Sequence, residues 1–590
     1  MTGASFLLHE TDPAGVFTPE DFTEEQQQIA ATTAEFAANE VLPAAAEIEA
    51  KNFDVMRGLL KKAGDLGLMA VDVPEAYGGL EMDKVTSAII ADRMSMLASF
   101  SVAFSAHVGI GTLPIVWYGT EAQKQKYLPK LATGEWLAAY ALSEASSGSD
   151  AMNIRTRAVK DGDHYILNGE KMWITNAGFA DLFTVFAKIV DPAEPDLAKA
   201  KMSAFLIERS MPGLTVGAEE HKLGIRGSST CPLILSDCRV PSENLLGEPG
   251  KGHHIAFNIL NIGRFKLGAA CVGGARTSLA NAIQYARDRK AFGKSIAEFG
   301  LIQQKIADAA TRLYVAESMT YRTIGAIDAA LGGAEDAKEI QKRIEEYAIE
   351  CSILKVWGSE MLDAVVDHTV QIYAGYGYVE EYPAERAYRD SRINRIFEGT
   401  NEINRLIIAG FVMKRAMTGQ LPLLPAIKSL MDELLAPTSL SSDENADDPL
   451  VREARMLANG KKLFLFAAGA ASQKYMAGLA DEQEIMAALA DMIMEIYALD
   501  SALVRARKLT SGGGAKAELV REMAQLYAET AFLEVESRAR KIVAAVAEGD
   551  TLRTQLAIVR RLAKHEPANS IALNRKVARA AIEKGRYPLA

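Results

Sequence analysis

Thr18-Pro19-Glu20 and Thr23-Glu24-Glu25-Gln26 supply N-cap signals ahead of long runs rich in Ala, Glu and Leu, so residues 1–138 are predicted to be helical. From about Tyr140 to Gly250 the pattern changes. Tyr165-Ile166-Leu167, Leu182-Phe183-Thr184-Val185-Phe186 and Leu233-Ile234-Leu235 are short apolar runs separated by Gly, Asp, Pro and Ser, which predicts strands over 139–250. The helical period returns after Gly252 and persists to the end. It is broken mainly at Leu331-Gly332-Gly333 and in the acidic stretch Ser439 to Asp448, which predicts a helical block over 251–415 and a further one over 416–590, with a linker at 437–450. This order of blocks is unlike the strand–helix alternation of a doubly wound sheet and predicts a mostly helical α+β protein.

Composition narrows the class without changing that picture. The 590 residues are 49% hydrophobic and 24% charged, with a formal net charge of −11, values ordinary for a globular chain of about four domains. Disorder, collagen and a disulfide scaffold are excluded. The longest uninterrupted apolar run, Leu463 to Ala471, is far shorter than the roughly 20 residues a spanning helix needs. Met1 to Thr11 has neither a basic nor a long apolar segment, so the chain is expected to stay in the cytoplasm. Four cysteines with no CxxC pair fit reduced core residues, and no metal site is expected.

Neither GxGxxG after a strand nor GxxxxGK[ST] occurs, so a Rossmann or P-loop nucleotide site lacks support. Four local clusters remain. Tyr140 to Asp150 is rich in small and hydroxylated residues that can present N–H groups and hydroxyls to an anionic or heteroaromatic ligand, although a polar turn explains it as well. Lys171 to Asn176 places Trp173 between polar groups near a strand end, where core packing and stacking on a flat ligand are both open. Ala286 to Gly293 is a basic run at a helix end, suited to phosphate or to water. In the fourth cluster, Glu398 lies between Ile396-Phe397 and Gly399-Thr400, with Thr400 a plausible helix cap. Apolar flanks raise a carboxyl pKa and a helix N-terminus lowers it, so the sign depends on burial. A Glu tuned in this way could serve as a general base for a carbon acid.

Taken together and in order, these clusters resemble the acyl-CoA dehydrogenase family from about Phe22 to Gly410. Further marks are Pro74-Glu75-Ala76-Tyr77-Gly78-Gly79, Asn168 to Asn176, Lys222-Leu223-Gly224-Ile225-Arg226, Gln371 to Gly377 and Phe397 to Asn404. The resemblance implies an N-terminal helical domain, a central antiparallel β-domain and a C-terminal four-helix domain. It also implies FAD, with Tyr140, Leu142, Ser143, Gly148 and Ser149 lining the flavin and Trp173, Ile174 and Thr175 covering its other edge. Arg289, Phe292, Gln371 and Gly375 would meet the pyrophosphate and adenosine across a dimer interface, and Thr400, Asn401 and Glu402 complete the set. Ser149, Asn261, Gly263, Arg264 and Gly399 would contact the acyl-CoA.

The same resemblance implies that Glu398 removes the α-proton of an acyl-CoA thioester while the β-hydrogen leaves as hydride, giving a trans-2-enoyl-CoA. Electrons would pass to an electron-transfer flavoprotein, as in the first step of fatty acid β-oxidation. Gly263 stands where isovaleryl-type members carry their base, which leaves Glu398 as the candidate. Leu260 to Phe265, Gly300 and the roughly 170-residue extension are similar to the very-long-chain type, which implies long-chain substrates and a homodimer.

From Val451 to Ala590 the chain carries 22 basic and 16 acidic residues, and its last forty residues carry 9 and 2. Such an end could touch an anionic membrane surface or an acidic partner, or bridge to the acidic core. The acidic Pro437 to Leu450 is unlike the docking helix of that subfamily. Nucleic acid is not expected, since no motif accompanies the charge. A respiratory assembly or scaffolding relative is the competing reading. The paired His253-His254 fits only a helix start.

Overall fold

The computed structural model describes residues 3–191, 193, 196–332, 337–435, 448–510 and 513–590. The N-terminal helices are α1 (Glu24–Phe36), α2 (Ala45–Glu49), α3 (Phe53–Asp65), α4 (Lys84–Met94), α5 (Ala98–Ser105), α6 (Leu113–Tyr118) and α7 (Glu121–Ala132). Thr23 caps α1 through a reciprocal capping box with Gln26, as its spacing predicts. Thr18 makes the same box with Asp21, but Pro19 to Asp21 forms only a single 3-10 turn and not the long helix expected there. Between α5 and α6 the chain widens into a π-helical turn, Ala106–Gly111. Its buried His107 takes the Ala138 N–H at Nδ1 and donates through Nε2 to the Leu131 carbonyl, which joins this turn to the sheet.

The sheet strands are β1 (Ala138–Ala141), β2 (Arg157–Asp161), β3 (His164–Thr175), β4 (Leu182–Ile189), β5 (Lys201–Glu208), β6 (Leu214–Val216), β7 (Thr230–Pro241) and β8 (Leu245–Leu246). Their order is β6-β7-β3-β2-β4-β5-β8, with β1 also on β4. Most pairs are antiparallel, as expected. The exceptions are β1 and β2, which both run parallel to β4. β4 and β5 are buried on both faces and read as near-continuous apolar runs, whereas β3 and β7 lie nearer one edge and alternate. The β3–β7 ladder slips between Lys171 and Ile174, and this bulge matters for the site.

The second helical block holds α8 (Gly252–Asp288), α9 (Gly300–Leu331), α10 (Ala337–Glu346), α11 (Ala348–Tyr373), α12 (Pro383–Ser391) and α13 (Asn401–Met417), with a small hairpin of β9 (Lys290–Ala291) and β10 (Lys294–Ser295) after α8. α8 packs against α4, α9 and α11, and α13 closes on α11. His253 and His254 fall in the first turn of α8, with their rings 4.1 Å apart. Ala98–Tyr118 and Gly252–Asp288 are long and apolar enough to cross a bilayer by composition alone, and both are packed mostly inside the protein.

The extension comprises α14 (Leu423–Leu435), α15 (Val451–Tyr475), α16 (Gln483–Thr510), α17 (Gly514–Val546), α18 (Gly549–Leu562) and α19 (Ser570–Lys584). Most of the expected linker, 437–447, lies outside the described residues. α16 packs on α9 and α13, and α19 returns to α9, so the extension shares one continuous core with the second helical block. The four cysteines are buried and unpaired, and among the described residues no cluster of His, Cys, Asp and Glu could hold a metal ion.

Candidate functional site

A cavity of about 470 Å³ opens where the end of β1, the bulge of β3, α8 and the start of α13 converge. Tyr140, Leu142, Ser143, Gly148, Ser149, Trp173, Ile174, Thr175, Asn261, Arg264, Glu398 and Gly399 all line it, bringing together residues up to 259 positions apart.

The first wall is built by a buried ion pair. Lys171, wholly buried, reaches Glu144 at 2.7 Å and donates to the Leu142 carbonyl at 3.1 Å. Glu144 also accepts from the Arg155 N–H at 2.5 Å and from the Thr156 N–H and hydroxyl at 3.0 and 2.6 Å. Charge-assisted bonds of this number hold Glu144 below its ordinary pKa despite burial, and they fix the 140–150 loop to β3. Two residues on, Trp173 adopts φ +59° in the bulge and stays 58% exposed, a costly conformation for a large apolar residue in a strand. The strain turns its indole out of the sheet and onto the cavity.

The second wall is the turn before α13. Glu398 has φ +57° and Gly399 φ +82°. Thr400 caps α13 by accepting the Ile403 N–H, as its position predicts. The turn is held by its carbonyls. Arg264 Nε and Asn404 Nδ2 each donate to Glu398 O at 3.3 Å, Asn404 also donates to Gly399 O at 2.8 Å, and Lys355 Nζ donates to Gly399 O and to Asn401 Oδ1, both at 2.7 Å. The side chain is left free for other work. Oε2 of Glu398 has no hydrogen-bond partner among the described residues.

Burial pushes the Glu398 carboxyl up to about 7, and the Arg264 and Lys355 charges pull against that rise. Burial therefore sets the direction that the sequence left open. Tyr140, packed 5.0 Å from Phe186, is likewise raised well above its ordinary value by burial, with the Glu398 charge adding to it. A Cβ on Gly263 would stand 2.6 Å from Glu398 Oε2, so this helix position must be bare for the carboxylate to sit where it does.

The remaining predicted residues lie elsewhere. Gly263 adjoins Glu398 but does not line the cavity. Thr400, Asn401 and Glu402 do not line it either, because their polar atoms serve the turn: Thr400 is the cap, and Asn401 is buried among Lys355, Ser359 and Glu360. Arg289, Phe292, Gln371 and Gly375 are outside it. Phe292, with φ +51°, and Gly293, with φ +83°, form the tight loop between β9 and β10, and Phe292 stands 95% exposed. Arg289 lies over the Tyr376 ring at 5.6 Å, on the same aromatic surface as Tyr373 and Tyr382.

Several lining residues were not foreseen. Phe257, Asn258 and Leu260 form a stripe on α8 with the expected Asn261 and Arg264, and Ile403, Ile407 and Phe411 one on α13, so spacing of three and four residues could have found them. Glu345 and Ala348, from the break between α10 and α11, and Ile110, from the π turn, belong to no local motif.

The lining suits FAD. A half-exposed indole, the Ser143 and Thr175 hydroxyls and a carboxylate with an unused oxygen face an apolar slot, and the bare Gly148 allows close approach from the loop.

Family models for acyl-CoA dehydrogenase match in chain order: the N-terminal domain at 23–135, the middle domain at 139–238, and C-terminal domains at 250–413 and 459–561. A relative from Bacillus subtilis (strain 168), named "Probable acyl-CoA dehydrogenase", is 47% identical, covering 99% of this chain and 98% of that one. The mitochondrial very long-chain specific acyl-CoA dehydrogenase of Homo sapiens is 38% identical over 82% of this chain and 74% of its own. The crystal structure of an acyl-CoA dehydrogenase complexed with FAD from Bacillus anthracis superposes with a TM-score of 0.95 at 48% identity, covering 100% of both chains.

Proposed function

The chain belongs to the acyl-CoA dehydrogenase family and is an FAD-dependent enzyme, and on that premise we propose that it oxidises long-chain fatty acyl-CoA to trans-2-enoyl-CoA with Glu398 as the base. The observation that carries this reading is the buried carboxylate with an unpartnered oxygen, on a residue that lines the same cavity as the Tyr140–Ser149 loop and Trp173–Thr175.

An α-proton beside a thioester is a very weak acid, so its base must be strong and its enolate-like product stabilised. Burial supplies the first requirement by raising the carboxyl toward the working pH. For the second, we assign the Glu398 N–H, which lies in the positive-φ turn before α13. Arg264, Asn404 and Lys355 hold the backbone of that turn and leave its side chain free, so the base is held in position at its main chain. Bound FAD supplies the two-electron acceptor for the hydride that leaves the β-carbon. Leu142, Ile174, Ile403 and Phe411 exclude water from the reacting carbons.

Long-chain preference is supported by the identity to very long-chain enzymes and by the extension that matches a family model. In this reading the enzyme catalyses the first step of fatty acid β-oxidation in the cytoplasm and passes electrons to an electron-transfer flavoprotein past the half-exposed Trp173. A homodimer is supported by the strained, exposed Phe292 and by the exposed Tyr376 and Tyr378 around Arg289, a surface on which a second copy would place Arg289, Phe292, Gln371 and Gly375 toward its neighbour's FAD. Peripheral contact with an anionic membrane is supported only by the exposed Arg560, Arg561, Arg575 and Arg579 of α18 and α19.

Anaerobic titration of the flavoprotein with octanoyl-, palmitoyl- and stearoyl-CoA tests the reading. Flavin bleaching is expected to be strongest with the longer chains and to slow by about 10²–10⁴-fold in Glu398→Gln, the usual contribution of a general base. Bleaching at the wild-type rate in that variant would remove Glu398 from its role, and strongest bleaching by octanoyl-CoA would overturn the chain-length preference.

A further inference from the structure

Residues 3–22 run from the extension to the catalytic cavity and touch both. At the cavity end, the Gly3 N–H donates to Glu346 Oε1 at 2.9 Å and the Ala4 N–H to the buried Glu350 Oε1 at 2.6 Å. Gly3 fits only because it is bare: a Cβ there would lie 2.1 Å from the Glu346 carbonyl oxygen and 2.5 Å from Arg415 Nη1. Ala4 turns the chain in the left-handed region at φ +64°. Both residues grip the point where helix is interrupted, since Tyr347, at φ −99° and ψ 18°, separates α10 from α11. On either side of that break stand Glu345 and Ala348, which line the catalytic cavity. Arg415 donates to the same Glu346 carbonyl at 2.6 Å from α13, the helix whose Ile403, Ile407 and Phe411 form the neighbouring wall. Glu345 and Phe257 are exposed, so this is the cavity's mouth.

The other end is fixed to the extension. Phe6 packs 4.6 Å from the Tyr497 ring, Thr11 donates to Asp500 at 2.7 Å, and Arg322 donates to Thr11 at 3.0 Å. Lys461 donates to the His9 carbonyl and Lys508 to the Val16 carbonyl, both at 2.9 Å, and Arg505 takes Glu20 with two bonds at 3.0 and 2.8 Å. Between its two ends the segment bridges a cavity of about 620 Å³ walled by Phe6, Phe17, Arg322, Glu350 and Tyr497. It is anchored at intervals along its length, with Phe6 and Leu7 buried in the shared core and the cavity lying beneath it.

We propose that residues 3–22 are a strap by which the extension sets the mouth of the catalytic cavity, with Gly3 and Ala4 as positioning residues for the α10–α11 break. The inference rests on the proposed reaction for its kinetic consequence, because a thioester that reaches Glu398 while its bulky polar portion stays outside must pass Glu345 and Phe257. Loosening the strap changes how substrate is admitted and leaves Glu398, whose turn is clamped by Arg264, Lys355 and Asn404 and not by residues 3–22, unaltered. Its signature is therefore a change in KM without a matching change in kcat.

The test uses the full-length holoenzyme and two variants. Gly3→Val displaces the tip, and Thr11→Val, a milder change, cuts the anchor on α16. Hydrogen exchange of amides 344–352 and steady-state turnover of palmitoyl-CoA are measured. In both variants exchange is expected to quicken by about fivefold or more, and KM to rise by about 3–10-fold with kcat within about twofold and flavin content unchanged. Unchanged exchange in both variants overturns the strap. Faster exchange with unchanged KM, or a fall in kcat alone, overturns its role at the mouth. A wild-type enzyme that does not turn over palmitoyl-CoA would fail the proposed reaction, while the exchange measurement would still decide the strap.

Discussion

Glu398 is placed to be basic and is costly to the fold for the same reason. Its carboxyl titrates near 7 in the folded protein against 4.5 for an ordinary glutamate, because burial disfavours the charged form more than Arg264 and Lys355 favour it. A carboxyl raised on folding contributes stability below pH 4.5, and that contribution is lost as pH climbs through 7. Two outcomes follow with opposite signs. The limiting rate of flavin reduction should rise with pH through about 7, as the carboxylate forms, when followed by stopped flow across pH 5.5–9. Glu398→Gln should melt higher than wild type by about 1–3 °C at pH 8 and no higher at pH 4, as measured calorimetrically on the apoprotein. An equal shift at both pH values would mean that the substitution acts through packing and not through charge. At this scale the sequence showed which residue, by its flanking apolar pair and its Gly-Thr, but not the direction of its pKa. That direction depends on α8 and α11 enclosing the turn, and neither is a neighbour in sequence.

Each wall of the site uses a local distortion of an otherwise regular element. The bulge in β3 turns Trp173 outward, and the paired positive φ values of Glu398 and Gly399 turn the chain sharply before α13. Such backbone persists only where its surroundings over-determine it, and here Lys171 and Glu144 do so for the first wall. Removing one partner of a buried, hydrogen-bonded pair costs about 3–5 kcal/mol. Lys171→Met is accordingly expected to lower the melting temperature and to reduce the flavin-to-protein ratio severalfold, read from visible absorbance against protein concentration. Full flavin content in that variant would show that the 140–150 loop holds its shape without the pair. Strands and caps were legible in the sequence because they follow from nearest neighbours: Thr23, Thr400 and the apolar runs of β3, β4 and β7 lie where local chemistry puts them. The parallel placement of β1 and β2 beside β4 was not legible, since it is decided by what covers the sheet's faces.

At the scale of the molecule, the extension is joined to the catalytic core by a buried network of charges. Arg276 of α8 pairs with Asp92 of α4 and reaches Glu317 of α9 at 2.9 Å. Glu317 takes Arg505 of α16 at 2.8 Å and the hydroxyl of Tyr587, near the chain end, at 3.2 Å, and Arg505 also binds Glu20. Burial works against Arg505, but Glu317 and Glu20 hold its pKa far above the ordinary value, so it stays charged. Arg505→Met leaves Glu317 and Glu20 short of a partner and is expected to split a single calorimetric transition into two, or to lower it by several degrees. An unchanged thermogram would show that apolar packing of α16 on α9 suffices by itself. The sequence by itself determined the order of helical and strand blocks, the caps and the motifs that mark the Glu398 turn and its facing loop, because these depend on periodicity and on residues within a few positions of each other. Only the tertiary structure decided that Glu398 is buried and its Oε2 unpartnered, that Gly263 must be bare beside it, that Glu345 and Phe257 form the cavity's mouth, and that residues 3–22 tie that mouth to the extension. Burial, close approach and ion pairing between segments hundreds of residues apart are properties of packing, and no local pattern in the chain encodes them.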